Sequence, residues 1–198
     1  HSGPAKIQLG IRSRAILSTW EAAYGASIEW TRGGYVFVAY RAREAQMLKD
    51  LLAVQQAHGL TIRWLDREAL LAVAPDLNPE GLLGGTYSPE DGHCSTLLTG
   101  HAFYAEARRA GAAFRFDERV VDLTTEGDRI TGVATDRGRY AAPVVVNAAG
   151  AWAREIGAMV GLDHPVMPDA HEAGITEPVA RFLDTLVVDI RPQAGSAN

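Results

Sequence analysis

The chain has 198 residues, 47% of them hydrophobic and 22% charged, enough to bury a core as one large domain or two small ones. Its formal net charge of −5 and its scattered arginines (Arg12, Arg14, Arg41, Arg43, Arg108, Arg109) form no basic patch and argue against nucleic acid as a partner. The single cysteine, Cys94, excludes an internal disulfide framework and a cysteine-rich zinc site and points to a reducing, cytoplasmic setting, and no apolar run reaches the roughly 18 residues of a membrane-spanning helix.

Over residues 7–24, Ile7, Ile11, Ala15, Ile16, Trp20, Ala23 and Tyr24 recur at helical spacing, which predicts one amphipathic helix ended by Gly25. Residues 27–30 and 35–40 are β-branched and aromatic and flank Thr31-Arg32-Gly33-Gly34, the pattern of a hairpin. A second helix is predicted over 42–58, with Met47, Leu48, Leu51, Leu52 and Val54 inward and Gly59 as its stop. Residues 61–65 form a short strand, and Asp66 caps a brief helix that must finish before Pro75. A loop-rich stretch over 75–92 contains a strand at Gly85-Thr86-Tyr87. Ser95 or Thr96 opens a third helix, with Leu98, Ala102 and Ala105 inward and Gly111 at its end.

Beyond Gly111 the pattern is strand and turn: 113–116, 120–123, 129–134 and 139–141, with turns at Glu126-Gly127-Asp128 and Asp136-Arg137-Gly138. These lead into a strand over 144–150, and the extended segments 173–178 and 186–191 make a last pair. The expected class is α+β, a mixed, mostly antiparallel sheet covered by helices on one face.

In Val144-Val145-Val146-Asn147-Ala148-Ala149-Gly150-Ala151-Trp152 a β-branched run stops at small residues just before a helix start. Such residues serve either tight strand-to-helix packing or close approach of backbone to a ligand, and spacing alone leaves both open. His93, Cys94 and His101 lack metal-ligand spacing, and Asp66, Glu68, Glu126 and Asp128 read as cap and turn residues.

The order of these features resembles the FAD-dependent oxidoreductases of the D-amino-acid oxidase and sarcosine oxidase type. The resemblance rests on Gly33-Gly34-Tyr35-Val36-Phe37-Val38, the Asp91-Gly92 turn before the third helix, Asn147-Ala148-Ala149-Gly150-Ala151-Trp152, and Thr176-Glu177-Pro178-Val179, and it spans about residues 7–191. It implies an FAD cofactor and an amino acid or secondary amine as substrate, whose C–N bond is oxidised by hydride transfer to flavin, with hydrolysis of the imine product. Thr176-Glu177-Pro178-Val179 resembles the β subunits of heteromeric members and implies partner subunits. Position by position, the resemblance sets Ala148, Ala149 and Gly150 against the cofactor, Trp152 at its edge, and the backbone of Val120 against the adenine. It places His171 at the start of a strand that reaches the substrate. Arg32 and Arg191 are weaker candidates for a substrate carboxylate.

The family's Gly-x-Gly-x-x-Gly turn, with an acidic residue about 20 positions on, has no counterpart in the sequence. With His1 as its first residue and no leader, the chain is therefore expected to be an internal fragment, inactive alone. Residues 1–111 are read as mostly substrate domain with connecting helices, 112–160 as middle strands of the FAD-binding domain, and 161–198 as a return to the substrate domain. Two rivals stand: a non-catalytic binding or scaffolding subunit without a cofactor site, and a fragment of an NAD-dependent dehydrogenase, which the hairpin pattern opposes.

Overall fold

The computed structural model describes residues 3–170, 172–180 and 182–191. It divides into two compact units, His1–Gly111 with Pro178–Asn198, and Ala112–Glu177.

In the first unit, helix α1 (Pro4–Ser18) carries Pro4 at its first position, where a missing N–H costs nothing. The single predicted helix is interrupted at Thr19, whose hydroxyl donates to the Ala15 carbonyl at 2.9 Å. Helix α2 (Trp20–Tyr24) restarts the chain and ends on Gly25 in the left-handed region, φ 72°. Strand β1 (Tyr35–Ala39) leads to helix α3 (Ala42–Ala57), whose Glu44 carboxylate accepts the backbone N–H of Arg41 at 3.1 Å, closing the first turn. Its inward positions are Ala45, Leu48 and Gln55, whereas Met47 and Val54 are exposed, an arc rotated from the expected one. Strand β2 (Arg63–Asp66) runs into helix α4 (Arg67–Val73), capped as expected by Asp66, which accepts from Ala69 N at 2.9 Å. Strand β3 (Gly84–Ser88) follows, then helix α5 (Thr96–Arg109), where Ser95 Oγ accepts from Leu98 N at 3.3 Å. Of the three residues expected to face inward from α5, Ala102 is buried while Leu98 and Ala105 are exposed.

The predicted hairpin over 27–40 does not form. Ile28 instead packs with Trp20 and Ala102, and Thr31 makes an isolated antiparallel bridge to His93. The partners of β1 are distant in sequence: it pairs antiparallel with β3 and parallel with β7 (Leu186–Asp189), and β2 closes the order β2-β3-β1-β7. Gly33 and Gly34 serve this pairing rather than a tight turn, since a side chain on Gly33 would collide with the Asp184 carbonyl and one on Gly34 with the Tyr87 ring. Along β1, Val36 and Val38 pack with Leu65, Leu70 and Leu82 on one face, and Ala39 joins Ala45 and Leu48 of α3 with Phe37 on the other. Helices therefore cover both faces of this sheet, within the expected α+β class.

In the second unit, β4 (Val120–Glu126), β5 (Arg129–Thr135) and β6 (Arg139–Ala141) form an antiparallel meander whose first turn holds Gly127 at φ 58°. A 3-10 turn (Gly150–Trp152) leads to helix α6 (Ala153–Ala158), which packs on β4. Three expected features are corrected. Residues 113–116 form no strand, and Phe114 and Phe116 stack on each other with ring centroids 6.1 Å apart. Residues 144–150 join no ladder, and Val144 and Val146 are 74% and 81% exposed. Residues 173–178 form no strand, so the segment over 186–191 takes β1 as its partner instead. No described helix is long and apolar enough to cross a membrane.

Candidate functional site

The turn between residues 146 and 153 is organised by Asn147. Its Nδ2 donates to the Ala153 carbonyl at 2.8 Å and its Oδ1 accepts from Ala149 N at 3.2 Å, so one side chain ties both ends of the small-residue run. Trp152 N then donates to the Ala149 carbonyl at 3.0 Å, and Gly150 takes φ 54°, a region that disfavours any residue with a Cβ. A Cβ on Gly150 would meet no atom within 4 Å. Ala148 is exposed, Ala149 is half-buried and Trp152 is 65% exposed. The result is a low, preorganised surface bounded by an indole. Asn147 is a residue the sequence reading passed over, although the Asn-x-Ala spacing of an Asx-turn was visible there.

Val120 lies at the start of β4 and lines a groove of about 400 Å³ with Ala113, Arg115, Glu118, Val133, Thr135 and Tyr140. Glu118 was also missed. Its Oε1 accepts from the Thr135 hydroxyl at 2.5 Å and from the Tyr140 hydroxyl at 2.8 Å. These two hydrogen bonds, helped by Arg115 and Arg137, hold the Glu118 carboxyl below the usual glutamate range. Nothing in the spacing of Glu118, Thr135 and Tyr140 announces this cluster, which exists because β5 pairs with both β4 and β6. The structure thus places Val120 in a groove and Ala148, Ala149, Gly150 and Trp152 on the turn into α6, the helix that packs on Val120's strand.

The other candidates are occupied or lie elsewhere. Arg32 Nε donates to the Pro89 carbonyl at 3.2 Å. Arg191 is bound to both oxygens of Asp189 and stacks over the Tyr40 ring at 4.3 Å. Cys94 Sγ accepts from the Thr99 hydroxyl at 3.3 Å, and no group of His, Cys, Asp and Glu among the described residues could hold a metal. His171 lies outside the described residues.

A flat ring system laid on the turn would meet two methyl groups and one bare backbone position, with no atom standing over Gly150. On that observation the small side chains of Ala148 and Ala149 and the open position of Gly150 leave room for a planar group such as the flavin of FAD. The Gly-x-Gly-x-x-Gly turn that grips the pyrophosphate does not occur in the sequence.

The chain is 36% identical over 116 residues to the mitochondrial dimethylglycine dehydrogenase of Homo sapiens, covering 59% of this chain and 13% of that one. Among solved structures it is similar to glycine oxidase from Geobacillus kaustophilus, with a TM-score of 0.78 and 27% identity over 96% of this chain and 52% of the other. The L-proline dehydrogenase of P. horikoshii shares the fold, with a TM-score of 0.82 at 23% identity over 96% of this chain and 51% of that one. The chain thus spans 13% of the dimethylglycine dehydrogenase and about half of each solved relative. Residues 1–195 match the family described as FAD dependent oxidoreductase, and the chain belongs to that family.

Proposed function

We propose that the chain is an internal part of a flavoenzyme that oxidises the C–N bond of an amino acid or a secondary or tertiary amine, and that its turn over 147–152 forms part of the flavin site. The observation that carries this is the conformation of the turn. Asn147 pins a run of small residues whose Gly150 is left-handed and has no atom above it, a surface suited to close approach by a planar group. The names of the relatives, a glycine oxidase and a dimethylglycine dehydrogenase, support the substrate class.

Bound FAD would supply the acceptor for the hydride equivalent leaving the carbon that bears the amine, with hydrolysis of the imine product by water. Of this chain's residues, Ala148, Ala149 and Gly150 keep the wall low, Trp152 excludes water at its edge, and the backbone of Val120 meets the adenine. His171 is the residue that the resemblance assigns to the substrate. Residues 1–111 and 161–198 supply substrate-domain structure, and residues 112–160 are middle strands of the FAD-binding domain. The missing glycine turn is supplied by polypeptide outside this sequence, so the chain alone does not hold FAD tightly. The segment Thr176-Glu177-Pro178-Val179 meets a partner subunit of a heteromeric dehydrogenase.

The test is to purify the native polypeptide that contains this chain, release and identify its flavin, and supply glycine or N,N-dimethylglycine with an artificial electron acceptor. Bound FAD that is bleached by one of these substrates is the expected result. A colourless polypeptide that refuses added FAD overturns the proposal in favour of a non-catalytic binding or scaffolding subunit.

A further inference from the structure

The first unit contains cavities of its own. Beneath α1 lies a cavity of about 270 Å³ walled by Ile7, Ile11, Phe37 and Ile62, with Gln55, Ser88 and Asp91 among its polar members. A second cavity of about 290 Å³, bounded by Arg14, Leu17, Trp30 and Leu186, shares Gly10, Tyr35 and Asp91 with it. These three residues are therefore the junction of one passage under the helix. At the junction Gly10 opens the space, because a Cβ there would meet nothing within 4 Å. Tyr35 and Phe37 present aromatic rings at 83° to each other, 4.9 Å between centroids. Asp91 is fixed by its backbone, whose carbonyl accepts from Gly34 N at 2.8 Å.

The charges around Asp91 do not balance. Arg14 Nη1 lies 2.7 Å from Glu90 Oε2 but 4.0 Å from Asp91 Oδ1. Two carboxylates thus share one guanidinium that sits closer to Glu90, and Asp91 also bonds with the Ser88 side chain, so the three charged groups carry a net negative charge beside the passage. An ordinary packing defect is apolar and stays dry. This passage instead brings a carboxylate and aromatic faces together between aliphatic walls, the combination that recognises organic cations.

We infer that the passage beneath α1 binds a small organic cation, an alkylammonium with a short apolar substituent. The charge lies against Asp91 and the rings of Tyr35 and Phe37, and the substituent fills the space toward Ile62. Burial, which outweighs Arg14 and the hydrogen bond with Ser88, pushes the Asp91 carboxyl above the usual aspartate range, and a bound cation relieves that cost. The inference uses residues of one unit and stands whether or not the flavin reading holds.

The experiment titrates the chain with isobutylammonium chloride and follows backbone amide NMR shifts, with sodium chloride at equal ionic strength and neutral isobutanol as controls. Saturable shifts centred on Gly10, Tyr35 and Asp91, produced by the ammonium and not by the alcohol, are expected. Asp91→Asn weakens binding by about tenfold or more, the scale of a hydrogen bond to a charged group. Gly10→Leu fills the junction and abolishes binding in a chain that remains folded, since Leu is a better helix former than Gly and meets open space. No saturation, an equal response to isobutanol, or undiminished affinity in Gly10→Leu overturns the assignment.

Discussion

The left-handed glycine of the turn separates two effects that a single substitution would confuse. Gly150 has φ 54° and no atom within 4 Å of an added Cβ, so Gly150→Ala introduces backbone strain without a collision. That strain is about 1–2 kcal/mol for an L residue in this region. Asparagine visits the left-handed region more readily, so Gly150→Asn costs less, below about 1 kcal/mol, although it adds a larger side chain on the open face. Urea unfolding should therefore rank stability as wild type, then Gly150→Asn, then Gly150→Ala. Flavin retention, read from the absorbance of the native flavin-loaded polypeptide, should rank wild type, then Gly150→Ala, then Gly150→Asn, because the longer side chain obstructs the wall more. The opposed rankings are the test. If Gly150→Asn keeps its flavin as well as wild type, Gly150 does not face the cofactor; if Gly150→Ala unfolds with wild-type urea dependence, the conformational argument fails as well.

Other consequences are measurable by the same methods. Leu70 is 0% exposed among Val36, Val38, Leu65 and Leu82, and Leu70→Ala should lower unfolding free energy by about 3 kcal/mol. Wild-type behaviour there would remove α4 from the core. Asn147→Ala loses the bonds to Ala149 and Ala153 and should cost about 1–2 kcal/mol, whereas Asn147→Asp keeps the acceptor for Ala149 N and loses only the donor; equal losses in the two variants would refute that division. The Asp189 carboxyl is lowered, chiefly by its hydrogen bond from Arg191, so its contribution is present above the unfolded aspartate value and is lost as pH falls through the folded one. Asp91 is raised by burial, so folding is favoured while it is protonated, and that advantage is lost as pH rises from the unfolded aspartate value through the folded one. Asp189→Asn should accordingly be less stable than wild type at neutral pH and converge with it in acid. Asp91→Asn should gain on wild type as pH rises; parallel pH curves would contradict both assignments.

What could be read from the residues and what could not divide along a physical line. Apart from the break at Thr19, helix stops and caps were legible because their signals are local: Gly25, Gly59 and Gly111 stop helices in left-handed conformations, and Asp66 and Ser95 accept backbone N–H groups three residues on. Strand partners were not legible. The alternation in β1 announces a strand but does not say that its neighbours are β3 and β7, and Gly33-Gly34, read as a turn, instead admits the Asp184 carbonyl and the Tyr87 ring.

The same distinction runs through the candidate sites. Ala148, Ala149 and Gly150 were identifiable because smallness is a property of each residue, and Asn147 was within reach because an Asx-turn spans three positions. The run Val144-Val145-Val146 has strand propensity, yet a strand is a relation to a neighbour. Among the described residues no ladder runs beside it, and two of its valines face outward. Glu118 acquires its depressed carboxyl only when β5 carries Thr135 and β6 carries Tyr140 to it. Asp91 acquires its cavity only when α1 lies over β1, with Arg14 drawn toward Glu90. Titration behaviour belongs to such meetings rather than to residue types. A carboxylate unremarkable in the sequence, two positions before a valine or beside a turn glycine, becomes chemically distinct through the side chains that long-range pairing delivers to it.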